Sequence, residues 1–322
     1  MRKDKSRAND FKEQVLNWIK NNPTQAKIIA VCILVALFCI ILFSCTRNEE
    51  EQTKQQTDQQ QTVVPNVPAP AQETPPPPVT EIETPAPAEE YPAEHIVDLG
   101  KNVELKLVKI NAGTYMKGLE KNKLFPQKEV TISDDFYIGI YEITQEQYQS
   151  VMKKNPSRFK GKKLPVENIN WGEATIFCDM LNEEGRALAG WKFTLPTSDQ
   201  WEYACRAGST TIFSWGNQLN GSQANCNGTK PYPKKSRKGT NLKKTRAVGS
   251  YKPNAWGLYD MHGNVWEWCL NNGKMLKISG KEVRGGSWKS PAQDCCSAAF
   301  TAYKPNQKNE RIGFRIVMVK AD

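Results

Sequence analysis

Residues 45–98 of this chain cannot form a hydrophobic core, because they are rich in Gln, Thr and Glu at first and in proline afterwards. They hold ten of the chain's twenty prolines. A segment of this composition buries too little apolar surface to offset its loss of conformational entropy, which predicts a disordered or polyproline-like linker. Only residues 99–322 are then predicted to fold compactly.

An uncharged apolar run at residues 28–44 precedes this linker. It follows residues 1–27, which carry seven Lys/Arg and three acids. The run is close to the minimum length for a bilayer-spanning helix, and the positive flank predicts that residues 1–27 stay in the cytoplasm. The alternative is a lipoprotein signal, because residues 42–45 (Leu-Phe-Ser-Cys) resemble a motif whose cysteine is lipidated. Both interpretations predict a domain tethered to a membrane through residues 28–44, in the periplasm or on the cell surface.

The predicted folded domain is strongly basic. Residues 1–27 carry a net charge of +4 and the linker −9, so the total of +10 leaves +15 for the residues after Asp98. Residues 230–246 contain eight Lys/Arg and no acid. Such a run is typical of a solvated face, and the alternative is a patch for acidic glycans or anionic headgroups. We do not expect nucleic acid as a partner, because no aromatic pattern accompanies the charge and the domain is predicted to lie outside the cytoplasm.

Local patterns predict both strands and helices in the domain. Alternating apolar residues predict strands at 103–110, 111–118 and 136–141. Three helices are predicted to begin after Thr144, Asn170 and Thr197, because each of these residues is followed three positions later by Gln or Glu in capping-box spacing. The second helix is predicted to bury one apolar face, formed by Ala174, Phe177, Cys178 and Leu181.

A tryptophan-rich turn occupies residues 256–268, which read W-G-L-Y-D-M-H-G-N-V-W-E-W. Gly263 can adopt positive φ, so the carboxylates of Asp260 and Glu267 can converge with main-chain carbonyls on one hard cation. Oxygen-only ligation of this kind suits Ca²⁺. The alternative is that the tryptophans are core residues and that the acids are solvated or paired with Arg284.

Four blocks in this order resemble the signature set of the formylglycine-generating enzyme (sulfatase-modifying factor) family. They are L-P-T-S-D-Q-W-E-Y-A-C-R-A-G at 195–208, the tryptophan-rich turn, R-G-G-S-W at 284–288 and R-I-G-F-R at 311–315. The resemblance implies an irregular α+β fold related to C-type lectins, with little regular secondary structure, here preceded by the transmembrane or signal-anchor helix. It also implies calcium at the side chains of Asp260 and Glu267 and the carbonyls of Gly263 and Val265.

The same resemblance locates the catalytic thiols of the family. Formylglycine formation resembles copper–oxygen chemistry at two thiolates, and the first belongs five residues after the first glycine of G-G-S. That position is Ser290 here, whose hydroxyl is neither soft nor acidic enough to replace a thiolate on Cu(I). Copper is therefore not expected. The second position falls on Cys295, which the resemblance assigns to a structural disulfide with Cys205, with Cys296 as a competing partner.

These features predict a catalytically inactive member of the family: a membrane-tethered, calcium-binding, lectin-like domain that binds a glycan or a protein outside the cytoplasm. Its candidate ligand contacts lie on the face that holds the active site in the family, and they are Trp288, Lys289, Ser290, Asp294 and Tyr303. The alternative is a formylglycine-generating type of oxidoreductase that acts on a cysteine or a related substrate. In that case Cys295 and Cys296 would have to supply the chemistry.

Overall fold

The computed structural model describes residues 91–120, 122–272 and 280–321. No helix within these ranges is long and apolar enough to cross a bilayer. The predicted membrane segment at residues 28–44 and nearly all of the predicted linker lie outside the described residues.

The described strands form three sheets. Along the chain, the strands are β1 (Glu94–Asp98), β2 (Glu104–Ile110), β3 (Gly113–Lys117), β4 (Lys128–Ile132), β5 (Phe136–Gly139), β6 (Trp191–Thr194), β7 (Trp266–Asn272), β8 (Lys281–Arg284), β9 (Phe300–Tyr303), β10 (Ile312–Gly313) and β11 (Val317–Lys320). A five-stranded sheet has the order β1-β2-β5-β11-β6, a four-stranded sheet has the order β10-β7-β8-β9, and β3 pairs with β4. The last strand, β11, therefore lies between β5 and β6 in the larger sheet, and β6 is the edge strand.

The folded region begins earlier than the predicted boundary at residue 99. Strand β1 pairs antiparallel with β2 from Glu94 opposite Val108 to Asp98 opposite Glu104. Val97 within it is 3% exposed. The strand is only five residues long and directly follows the proline-rich segment. Its pairing with β2 is what defines it as a strand.

The three predicted helices are present and begin at the predicted caps. They are α1 (Gln145–Met152), α2 (Trp171–Glu183) and α3 (Ser198–Arg206), and each has a complete capping box. In α2 the predicted face is buried, since Ala174, Phe177, Cys178 and Leu181 are all at most 2% exposed. Phe177 packs on Tyr148 of α1 and on Phe314, with ring centroids 5.8 and 5.3 Å apart.

The closing R-I-G-F-R block lies directly against the tryptophan-rich turn. Strand β10 pairs in parallel with β7, so that Gly313 lies opposite Glu267. A side chain at Gly313 would place its Cβ 2.4 Å from the carbonyl oxygen of Val166. Only glycine allows this close approach to Val166. The pairing of β10 with β7 brings the second and fourth sequence blocks of the chain together.

Candidate functional site

Glu267 of the tryptophan-rich turn forms a buried ion pair with Arg315. The Arg315 Nε lies 2.6 Å from Oε2 of Glu267, and its Nη2 lies 2.8 Å from Oε1. The indole Nε1 of Trp201, on α3, also donates to Oε2 at 2.7 Å. Both oxygens of the carboxylate therefore accept hydrogen bonds from protein donors, and the guanidinium partner is Arg315.

Arg284, which the sequence offered as the alternative partner of these acids, belongs to a second buried ion cluster. Its Nη1 lies 2.9 Å from Oε2 of Glu202 on α3. The other oxygen of Glu202 accepts from Arg206 Nη2 at 2.9 Å and from the main-chain N–H of Gly118 at 2.8 Å. This cluster joins α3 to β8 and is separate in its hydrogen bonds from the Glu267 pair.

Two further carboxylates lie close to Glu267. Asp260 has a φ of 55° and accepts a hydrogen bond from the N–H of Gly249 at 2.7 Å. Glu142 is fully buried and accepts from the N–H of Val265 at 3.0 Å. Burial raises the pKa of Glu142 well above its usual range, and the charges of Asp260 and Glu267 raise it further. Burial also raises the pKa of Asp260 to about 6.

The three acids fit a calcium ion in charge but not in geometry. Glu142, Asp260 and Glu267 share one guanidinium, that of Arg315, and an excess of negative charge is what a divalent cation neutralises. However, both oxygens of Glu267 already accept hydrogen bonds from Arg315 and Trp201. Within the described ranges, no group of three or more His, Cys, Asp or Glu side chains is arranged to hold a metal ion. Calcium at Asp260, Glu267 and the carbonyls of Gly263 and Val265 stays a prediction.

The position of the first family thiol is occupied by a buried hydroxyl. The Oγ of Ser290 is 3.0 Å from the Oγ of Ser287 and accepts a hydrogen bond from the Ser287 N–H at 3.1 Å. Ser290 is 7% exposed. The preceding Gly285 and Gly286 both have positive φ, which makes the tight turn possible. Ser290 therefore stabilises the G-G-S-W turn and presents no thiol.

The disulfide between Cys205 and Cys295 stays a prediction, and in the structure both residues are buried thiols. His262 separates the two residues. Its Nε2 lies 3.6 Å from the Sγ of Cys205, and its Nδ1 is 2.7 Å from the carbonyl oxygen of Cys295. Burial raises the pKa of Cys205 to about 12, so its thiol stays protonated.

The five candidate ligand contacts do not share one exposed surface. Trp288 is 7% exposed, its indole donates to the carbonyl of Glu310 at 3.2 Å, and Ser290 is buried as described above. Tyr303 is half-buried and packs edge-on against the core residue Trp268. Lys289 and Asp294 are exposed. Of the five, only these two charged side chains are freely available to a ligand.

An open cleft of about 810 Å³ lies elsewhere, and it was not predicted from the sequence. The aromatic residues that line it are Trp215, Tyr251 and Tyr259, and Lys252 is on its rim. Trp215 is 40% exposed, yet it is held in place because its ring stacks on Phe213 with centroids 5.6 Å apart. The local sequence indicated this cleft only through a tryptophan, Trp215, and a tyrosine, Tyr251, in a polar, basic stretch. These two residues are 36 positions apart in sequence, and folding brings them together.

A basic groove of about 390 Å³ adjoins this cleft through Arg246. The groove is lined by Lys160, Lys244 and Arg246 together with Phe159. The guanidinium of Arg246 lies 5.0 Å from the ring centroid of Tyr251, which lines the cleft. We call the combined region, formed by Trp215, Tyr251, Tyr259, Arg246 and Lys252, the aromatic–basic surface. It presents flat apolar rings beside exposed positive charge.

Comparison with known proteins identifies the family. Residues 94–320 match the sequence profile of the sulfatase-modifying factor enzyme 1-like domain. The chain therefore belongs to the sulfatase-modifying factor family, as the resemblance of its four sequence blocks implied.

Individual relatives include active and inactive proteins. The chaperone protein LppX of Paenibacillus barcinonensis is 29% identical over 239 residues, which cover 61% of this chain and 84% of LppX. The mouse formylglycine-generating enzyme is 33% identical over 172 residues, covering 47% of this chain and 43% of the enzyme. The mouse inactive C-alpha-formylglycine-generating enzyme 2 is 29% identical over 160 residues, 48% of each chain. The chain thus spans about half the length of each mouse relative.

Solved structures share the fold. Treponema denticola variable protein 1 superposes with a TM-score of 0.62 and 25% identity, over 70% of this chain and 99% of that protein. PvdO from Pseudomonas aeruginosa gives a TM-score of 0.56 at 20% identity, over 71% of this chain and 99% of PvdO. The mixed sheets and few helices described above are therefore those of the formylglycine-generating enzyme fold.

Proposed function

We propose that this chain is a catalytically inactive member of its family that binds an anionic saccharide through the aromatic–basic surface. The observation that carries the proposal is the buried hydroxyl of Ser290 at the position where the oxidising members have their first thiol. In this proposal residues 28–44 tether the domain outside the cytoplasm. A relative that is described as inactive supports the loss of catalysis.

The remaining cysteines of this region do not supply a substitute for the lost thiolate. Cys295 and Cys296 are 0% and 3% exposed. Burial raises the pKa of Cys296 to about 11, and the pKa of Cys295 is raised well above its usual range by a hydrogen bond with Cys226 and by burial. A thiol must ionise to react or to bind Cu(I), so both residues favour an inert protein over an oxidoreductase.

The chemistry of the aromatic–basic surface indicates the class of ligand. The exposed ring of Trp215 and the half-buried rings of Tyr251 and Tyr259 provide apolar faces against which the C–H face of a sugar ring can pack. Arg246 and Lys252 provide positive charge for carboxylate or sulfate groups beside the rings. Pockets that combine aromatic walls with a few polar groups are the usual form of small-ligand sites.

Titration calorimetry with a heparin-derived oligosaccharide tests this proposal, with a neutral dextran oligosaccharide as the comparison. We expect the sulfated probe to bind and its affinity to fall as salt is raised, because exposed charges are screened. Trp215→Ala and Lys252→Ala are each expected to weaken binding about tenfold, a loss of about 1.4 kcal/mol. Ile176, which is 48% exposed on α2, provides the control Ile176→Ala. Equal affinity for Trp215→Ala with an unchanged melting temperature would remove the cleft from the proposal.

A second candidate function is protein binding of the kind performed by a chaperone. It is favoured by the match to LppX, a chaperone protein of which this chain covers 84%. The experiment is suppression of aggregation of a denatured reporter protein, measured by light scattering with and without this chain. Suppression that Trp215→Ala abolishes, together with no binding of the sulfated probe, would select this function over saccharide binding.

A further inference from the structure

Two segments that carry cysteines are held side by side by main-chain hydrogen bonds. The N–H of Asn227 donates to the carbonyl of Ser290 at 2.9 Å, and the N–H of Ala292 donates to the carbonyl of Lys230 at 3.0 Å. Asn227 also forms an isolated parallel bridge with Pro291. The residue before Asn227 is Cys226, and the segment that contains Ala292 ends in a 3₁₀ turn at Cys295. The backbone therefore fixes the positions of two cysteines that are far apart in sequence.

Both cysteines lie in the same closed apolar cluster. Cys226 is 1% exposed and Cys295 is 0% exposed, and both belong to a core cluster with Phe213 and Leu219. The neighbouring Cys226 is the largest cause that raises the pKa of the Cys295 thiol, followed by burial. A Cβ on Gly286 would lie 2.4 Å from the Sγ of Cys295, so the turn leaves room for this thiol only because residue 286 is glycine.

The other described cysteines have different neighbours. The Sγ of Cys205 lies 3.6 Å from His262, and the Sγ of Cys269 lies 3.8 Å from the carbonyl of Glu267. Cys178 is on the buried face of α2. Cys296 has an extended backbone, and its carbonyl accepts a hydrogen bond from the N–H of Ala299 at 3.0 Å. Cys226 and Cys295, by contrast, lie in adjacent segments that main-chain hydrogen bonds join, and both belong to one buried cluster.

We propose that Cys226 and Cys295 form a disulfide bond in the mature protein. An external disulfide is the oxidant: one cysteine thiolate attacks it, forms a mixed disulfide and releases one thiol. The second cysteine then displaces a second thiol, so that two protein thiols become one S–S bond and the external disulfide is reduced to two thiols. The bond links the segment that follows the G-G-S-W turn, which contains Ser290, to the basic segment that follows Cys226. This inference goes beyond the proposed binding function and does not depend on it.

The order of events follows from burial. In the folded domain both thiols are inaccessible, and the pKa of Cys295 is raised, so little thiolate is present to attack a disulfide. Exchange must therefore occur before the two segments close on each other. We expect the bond to form during folding with oxidant present and only slowly when folded, reduced protein is exposed to the same oxidant.

The test is peptide mapping of the full chain, purified in detergent and refolded in a mixture of reduced and oxidised glutathione. After blocking of free thiols in denaturant and proteolysis without reduction, we expect one linked peptide pair that contains Cys226 and Cys295. The intact mass is expected to be about 2 Da lower than that of the reduced protein, because two hydrogens are lost. A linked pair that contains Cys205 and Cys295, or blocking of both Cys226 and Cys295 in the refolded protein, would overturn the proposal.

Substitutions provide an independent readout. Cys226→Ser and Cys295→Ser are each expected to lower the melting temperature of the oxidised protein by roughly 10 °C, and the double substitution is expected to cost no more than either one. In reduced protein the same substitutions are expected to cost much less. The matched control is Cys178→Ser, a buried thiol on α2, which should leave the linked peptide pair in place. Equal losses in oxidised and reduced protein would show that the thiols only fill space and would contradict the bond.

Discussion

We expect Asp260 to make the stability of the tryptophan-rich turn depend on pH, with a sign that the predicted calcium site would reverse. Burial raises its pKa from 3.8 to about 6, so the folded state without metal holds a proton that the unfolded state has lost. Its contribution to stability is present below about pH 4 and is lost as the pH rises through about 6. The loss is at most about 3 kcal/mol. Thermal unfolding of wild-type protein in EGTA should show it, and Asp260→Asn should reduce the slope.

Calcium reverses the sign if the predicted site is correct. A bound cation favours the ionised carboxylate, so stability would then rise between pH 4 and 6 and the melting temperature at pH 7 would increase on adding calcium. The asparagine of Asp260→Asn can still accept the hydrogen bond from Gly249, which makes this variant a test of charge alone. Identical pH profiles in calcium and in EGTA would eliminate a calcium site at these residues.

For this turn, the sequence predicts which residue occupies a position when that position is defined by a fixed spacing. It does not predict which side chains contact each other. The replacement of a thiol by Ser290 follows from counting within one block. The partner of Glu267 does not, because Arg315 is 48 positions away and the choice between Arg284 and Arg315 depends on how β7 pairs with β8 and β10. Cys295 and Cys226 are likewise brought together by loop contacts that leave no periodic pattern.

The buried carboxylate of Glu202 connects α3 to strand β8 through Arg284. We expect the stability of the folded domain to depend on this connection. Glu202→Ala would leave Arg206 and Arg284 buried without a counter-charge, which costs about 3–5 kcal/mol. The expected result is a melting temperature lower by roughly 10 °C. Chemical denaturation monitored by circular dichroism would give the free energy of unfolding directly.

An exposed ion pair provides the control for this prediction. Glu184 and Arg186 are 3.1 Å apart at the end of α2, and both side chains are exposed to solvent. Glu184→Ala should change the free energy of unfolding by less than about 0.5 kcal/mol, because water screens such pairs. A similar loss for both variants would mean that the Glu202 cluster has no special role in joining the elements.

The helices could be predicted from the sequence, whereas the order of the strands in the sheets could not. The capping boxes at Thr144, Asn170 and Thr197 are contained within four residues each, so they could be identified without knowing the fold. The position of β11 between β5 and β6 depends on residues that are more than 120 positions apart. Strand β1 was missed for a different reason: its partner β2 is close in sequence, but residues 94–98 were assigned to the linker on the composition of residues 45–98 as a whole.

One of the two compact units of the chain comprises Pro85–Asp322, and the N-terminal boundary of its folded domain can be measured. A chain that starts at Pro85 retains β1 and should melt at the same temperature as the full chain. A chain that starts at residue 99 loses Val97 from the core and the hydrogen bond of 2.6 Å that Tyr137 donates to the carbonyl of Pro92. We expect it to be less stable by about 2–5 kcal/mol, or roughly 10 °C in melting temperature. Differential scanning calorimetry of both chains decides the boundary: equal melting temperatures would restore it to residue 99, and β1 would then be a strand that adds no stability.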